Sequence, residues 1–169
     1  MMIKTKKFLI QWKVRFFYFQ FFLLLASTSL LGAPFVDNGD GTITDIGNAL
    51  IWQKCTSDLS GSNCLTGGTT QRNWANALAY CNGLSLTGRV WRLPSITELS
   101  SILDYSQVAS PIIHPTYFPG TVSQYYWSSS TFRYNNGSID AWTVNFSSGY
   151  KASNSKGSLL YVRCVASPP

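Results

Sequence analysis

Four cysteines, Cys55, Cys64, Cys81 and Cys164, constrain this chain more than any other feature, because of what precedes them. Lys4, Lys6, Lys7, Lys13 and Arg15 open the chain, and no acid appears before Asp37. An uncharged apolar run follows from Phe16 to Ala26, then a small and polar stretch closing on Leu31-Gly32-Ala33. Basic, apolar, small: this order is the layout of a secretory signal peptide. The expectation is an exported protein in the periplasm, at the outer surface or secreted, with 1–33 removed and 34–169 forming a single domain. The runner-up is an uncleaved anchor, because Phe16 to Ala33 approaches the roughly 18–20 residues of a spanning helix. Membrane attachment is expected only in that case. No Cys follows the apolar run, which argues against an acylated lipoprotein.

In an oxidising compartment an even cysteine count reads as two disulfides. Three pairings are possible, and the sequence does not decide among them. Local geometry favours Cys55–Cys64 across a Ser/Gly-rich loop, which leaves Cys81–Cys164 to tie an early helix to the last strand. In the chain-entropy picture the short loop contributes about 2.5 kcal/mol and the long one about 4.5 kcal/mol. A zinc site needs close Cys pairs or His partners; the spacings here are wide and the single His is His114. No metal and no cofactor are expected.

Export also changes the meaning of the charge. The chain carries 13 Lys+Arg against 7 Asp+Glu, but five of the basic residues precede Ala33, leaving eight against seven. Nucleic-acid binding needs a basic face, and composition gives residues 34–169 none, so no nucleic-acid partner is expected. What remains is poor in charge, rich in Gly, Ser, Thr and Asn, and carries abundant Trp and Tyr. That composition suits a loop-rich domain with an aromatic core, whereas a disordered chain would be poor in aromatics.

Local patterns place the elements. Asn38-Gly39 and Asp40-Gly41 are turn signals, and Ala49-Leu50-Ile51-Trp52 reads as a buried strand after Thr42–Asp45, predicting a hairpin. Asn38-x-Asp40-Gly41 also resembles part of a calcium loop, but Val36 stands at the first ligand position and no bidentate Glu closes it; turn chemistry is the better reading. Residues 55–72 read as polar loop. Trp74, Ala77, Leu78 and Cys81 recur at helical spacing, with Asn82-Gly83 expected to end the helix in a left-handed glycine cap. A short strand over Val90–Leu93 precedes a second helix, with Ser95 and Glu98 at capping-box spacing; Glu98 is read as a cap, not a catalytic acid. The 104–124 stretch, with Pro111, Pro115 and Pro119, predicts a long irregular connection, and His114 within it reads as a surface or structural residue. Strands are expected over 125–131, over 141–146 with Trp142, Val144 and Phe146 on one buried face, and over 159–165. Turns are expected at 133–137 and 147–150.

Six blocks carry a resemblance. They are Asp40-Gly41-Thr42-x-Thr44-Asp45, Leu50-Ile51-Trp52-Gln53-x-Cys55, Trp74-x-x-Ala77-x-x-Tyr80-Cys81, Trp91-Arg92-Leu93-Pro94-x-x-x-Glu98-Leu99, Tyr126-Trp127-Ser128-Ser129 and Tyr161-Val162-Arg163-Cys164-Val165. Together they resemble the Lcl C-terminal domain family of bacterial envelope proteins, in order and across essentially all of 34–169. The resemblance implies an α+β, C-type-lectin-like fold, disulfide-stabilised, with two helices packed on a small, mostly antiparallel sheet whose first and last segments pair. It implies a helix cysteine bonded to the last strand, in agreement with Cys81–Cys164. It also implies surface or secreted location and, in some members, adhesion to host matrix or glycosaminoglycans. The collagen-like repeats of the family's namesake are absent, as are the Glu-Pro-Asn and Gln-Pro-Asp calcium motifs of sugar-binding lectins.

Function is therefore read as an exported binding module, an adhesin for sulfated glycans or extracellular matrix proteins, and not an enzyme. Trp52, Trp74, Trp91, Trp127 and Trp142 are read as scaffold, with specificity on a surface formed by the Gln107–Gln124 connection, the Arg133–Asn136 turn and the Tyr150–Lys156 loop. Arg133, Lys151 and Lys156 are the candidates to pair with sulfate or carboxylate groups, and Tyr134 and Tyr150 to stack on sugar faces. Two alternatives stand beside this. One is a structural envelope protein without a soluble ligand. The other is an enzyme related to sulfatase activators, which would need reactive thiols; no catalytic residues are assigned.

Overall fold

The computed structural model describes residues 34–134 and 139–168. The expected signal segment and residues 135–137 of the expected turn lie outside them. The described residues form β1 (Phe35–Asp37), β2 (Thr42–Asp45), β3 (Leu50–Gln53), β4 (Leu59–Ser60), β5 (Thr66–Gly67), α1 (Trp74–Asn82), β6 (Trp91–Arg92), α2 (Ile96–Ser101), β7 (Tyr125–Arg133), β8 (Ile139–Asn145), β9 (Lys151–Asn154) and β10 (Val165–Ala166). The class is mixed α and β, with two helices on antiparallel strands. The strands make three sheets rather than one: β1-β2-β3-β10-β6, the small hairpin β4-β5, and β7-β8-β9.

The expected hairpin is β2–β3, and a second one joins β1 to β2 through the Asn-Gly and Asp-Gly turn. The carboxylates there do turn work: Asp37 accepts from the Gly39 amide, and Asp40 accepts from the amide and hydroxyl of Thr42. Both disulfides have the pairing that local geometry favoured, Cys55–Cys64 and Cys81–Cys164, and no cysteine is free.

Strand pleating sends neighbouring residues to opposite faces, and here both faces of the large sheet are covered. Leu50, Trp52 and Val165 face a core with Leu99, Ile102, Phe118, Tyr126, Val144 and Phe146. Ile51 and Ala166 face another with Ala77, Cys81, Trp91, Leu93, Trp127 and Cys164. Burial on both faces explains why β3 reads as an unbroken apolar run.

Asn73 caps α1 by accepting from the Asn76 amide. The helix ends at Gly83 as expected, but with φ −91° and ψ −2° Gly83 stays right-handed, so no left-handed cap forms. α2 carries the full capping box. Glu98 also takes a two-pronged pair from Arg92 at 2.6 and 2.8 Å, and the Ser95 amide at 2.8 Å. Arg92, with help from Ser95, holds the Glu98 carboxyl well below its usual range, at about 2.

Three further expectations are corrected. The 159–165 segment is not one strand: Leu160 bridges Arg72, Tyr161 bridges Tyr126, the Cys164 carbonyl accepts from Gln53, and only Val165–Ala166 joins the sheet, between β3 and β6. The last segment thus pairs with β3 and β6, whereas the first strand, β1, pairs with β2. The 151–154 stretch, expected as loop, is the edge strand β9.

Candidate functional site

The Tyr126-Trp127-Ser128-Ser129-Ser130 run explains how a site arises on β7 and β8. Pairing runs from Tyr125↔Asn145 to Trp127↔Thr143, then resumes at Thr131↔Ala141. Ser128, Ser129 and Ser130 therefore bulge opposite Trp142 alone. Such a bulge bends a strand and raises its twist. The serines satisfy the interrupted ladder. Ser128 Oγ donates to the Trp142 carbonyl at 2.7 Å, and the Ser129 amide donates to the Pro94 carbonyl at 2.8 Å. Ser130 Oγ accepts from the Ile96 amide at 3.0 Å. The Trp-Arg-Leu-Pro and Tyr-Trp-Ser-Ser blocks are thus two halves of one clamp at the start of α2.

Beyond the bulge, three aromatic rings pack on one another outside both cores. Phe132 meets Trp142 edge-on at 5.1 Å between ring centroids and Tyr134 edge-on at 4.8 Å. The Tyr134 hydroxyl lies 2.9 Å from Ser153 Oγ and donates to Asp140 Oδ2 at 3.1 Å. Cross-strand pairing of Trp142 with Ser153 and of Val144 with Lys151 puts Lys151 on the same face by strand pleating. The result is an aromatic platform with a carboxylate, two hydroxyls and an exposed ammonium at its rim. Aromatic faces with polar edges suit ligands that are apolar on one side and hydroxylated on the other.

The five expected residues do not form one cluster. Tyr134 belongs to the platform and Lys151 to its rim. Arg133 is exposed at the end of β7, where strand alternation points it away from the Phe132–Tyr134 face. Tyr150 is exposed at the β8–β9 turn, next to Gly149, whose carbonyl accepts from Tyr105 at 3.0 Å. Lys156 lies elsewhere: its ammonium sits 4.0 Å over the Trp74 ring and its carbonyl accepts from the Trp74 amide. Trp142, expected as scaffold on the face of Val144 and Phe146, does share their face but is only half-buried. The residues missed were Phe132, Asp140 and Ser153. The signal for the first two was present, since Phe132-x-Tyr134 and Asp140-x-Trp142 both have period two on either side of a turn.

A model of the Lcl C-terminal domain matches residues 41–166, most of the chain. The chain belongs to the Lcl C-terminal domain family. No curated protein matches it. The matched span of the Lcl domain takes in the platform, both disulfides and the serine clamp.

A cleft of about 600 Å³ lies on another part of this Lcl domain, lined by Asp37, Asp40, Lys54, Asp58, Tyr80 and Leu86 among others. Two of its three carboxylates are neutralised, Asp37 by Lys54 at 2.7 Å and Asp58 by Arg72 at 2.8 Å. Hydrogen bonds from Lys54 and from the Gly39 amide lower the Asp37 pKa. Arg163 is wholly buried, and among the described residues its side chain meets threonine hydroxyls and the Phe118 ring; burial pushes its pKa down to about 10. His114 stacks on Tyr117 at 4.8 Å and accepts from the Thr116 amide, a structural arrangement.

Proposed function

We propose that this chain is an exported, C-type-lectin-like binding module, an adhesin that recognises sulfated glycans or extracellular matrix through the Phe132–Tyr134–Trp142 platform. One observation carries the reading: three aromatic rings associate outside both cores, beside Lys151, which is exposed and has no ion pair among the described residues. Exposed apolar clusters of this kind mark interaction surfaces. Lys151 takes the sulfate or carboxylate, and Asp140, Ser153 and the Tyr134 hydroxyl serve sugar hydroxyls. Arg133 and Tyr150 extend the surface at its two ends. Lys156, already placed over Trp74, lies outside it. The closure of all four thiols counts against the sulfatase-activator alternative, which needs reactive ones. The pairing of a helix cysteine with the segment before the last strand supports the C-type-lectin-like assignment. Among the described residues no helix is long and apolar enough to cross a membrane.

The test is an array of sulfated and neutral glycans with matrix proteins, probed with disulfide-intact protein at low and physiological salt. Selective binding is expected that weakens with salt, falls at least about tenfold in Trp142→Ala or Lys151→Ala, and is unchanged in Lys156→Ala. Silence across the array up to tens of micromolar, or binding indifferent to Trp142, would sink the proposal.

A further inference from the structure

The segment between α1 and α2 carries a feature that the platform does not use. Thr87 and Gly88 both take left-handed backbone, with φ 54° and 66°, and this turn leads directly into Arg89 and Val90. A cleft of about 580 Å³ opens there, lined by Thr87, Gly88, Arg89, Val90, Arg92 and Pro168 among others. No carboxylate lines it among the described residues. Arg92 is committed to Glu98. Arg89 has no ion-pair partner among the described residues, and its Nε is shut off from solvent without an acceptor. The two terminal nitrogens of a guanidinium also stand side by side, a two-pronged donor edge that fits an oxyanion. Next to it Val90 is 90% exposed, apolar surface beside a charge that has no partner among the described residues.

We propose that this cleft binds an oxyanion, a carboxylate or a sulfate, carried on a small apolar group. Arg89 receives the anion through its two terminal nitrogens, Val90 and Pro168 contact the apolar part, and Arg92 is held at the cleft wall by Glu98. The contrast with the Asp37–Asp58 cleft supports the sign of the ligand. That cleft has three carboxylates and pairs two of them internally, whereas this one has two arginines and, among the described residues, leaves one without a counter-charge. The inference is independent of glycan binding at the platform, and its readout uses small probes that do not require the platform to bind anything.

The experiment is an NMR titration of the arginine Nε–H resonances of the disulfide-intact protein with phenyl sulfate, benzoate, inorganic sulfate and benzyl alcohol. The Arg89 resonance is expected to move and saturate with phenyl sulfate and with benzoate, more weakly with inorganic sulfate, and not with the alcohol. Arg89→Gln is expected to weaken phenyl sulfate at least about tenfold, the weight of one charge-assisted hydrogen bond, with partial recovery in Arg89→Lys. Shifts that never saturate, or equal affinity in Arg89→Gln, overturn the site. Saturation by the alcohol overturns the anion requirement. Inorganic sulfate binding as tightly as phenyl sulfate overturns the role given to Val90.

Discussion

The two ends of the β7–β8 ribbon are made of the same kind of residue and do opposite things. At the near end Tyr126 and Trp127 are fully buried, one in each core, and Trp127 Nε1 donates to the Arg72 carbonyl at 2.7 Å. At the far end Phe132, Tyr134 and Trp142 lie outside both cores, with the Phe132 ring edge-on to the other two. Between the two ends lie the three serines. Aromatic content therefore does not tell scaffold from surface in this domain. What separates them is a bulge, which carries the strand off the core and leaves its aromatics stacked in the open.

The largest effects should divide along that line. Trp127→Ala is expected to cost about 3–5 kcal/mol in chemical denaturation, because it empties a closed core and removes one of the two hydrogen bonds the Arg72 carbonyl accepts, the other coming from the Leu160 amide. Trp142→Ala should cost only about 1–2 kcal/mol, in keeping with half-burial, while removing most ligand affinity. Similar stability losses at the two tryptophans would break the comparison. Ser130→Ala sharpens it. That change orphans the Ile96 amide, and about 1 kcal/mol of stability should go with it. Affinity should also drop, although Ser130 is not part of the platform, if the clamp is what holds the far end in place. Undiminished affinity would show that the bulge is merely tolerated.

The smallest effect is in pH. Glu98 has its folded pKa lowered from 4.5 to about 2, so its pairing with Arg92 and Ser95 stabilises the fold fully above the unfolded value. That contribution drains away as pH falls from about 4.5 towards 2. Glu98→Gln should flatten this limb of the denaturation midpoint measured from pH 7 to pH 2. An unchanged acid limb would mean that the clamp's anchor is uncoupled from folding.

Features written in a few neighbouring residues were legible in the sequence. The capping box at Ser95 and Glu98, the Trp74–Cys81 helical face, the β2–β3 hairpin and the short Cys55–Cys64 loop are all of this kind. Features that depend on a distant partner were not. Lys-Ala-Ser-Asn shows no apolar alternation, yet it forms β9 because β8 offers it a ladder and Asn154 donates to Thr143 Oγ1. Leu159–Val165 looks like one strand, but its apolar residues answer to different neighbours in turn. Gly83 resembles a left-handed cap and remains right-handed, donating to the Ala79 and Cys81 carbonyls instead. The platform was half visible: Tyr134 and Lys151 were identified for their chemistry, whereas Trp142 was assigned to the core because its alternation matches that of buried Val144 and Phe146.

The position of β10 has a consequence for the order of assembly. Val165–Ala166 is an interior strand of the five-stranded sheet, inserted between β3 and β6, so those two strands have no hydrogen-bonded link until the polypeptide has emerged as far as Ala166. Chains whose contacts span such separations fold slowly. Until residues 165–166 are available, the centre of the five-stranded sheet stays an open gap between β3 and β6, and the two halves of the sheet remain unlocked from each other.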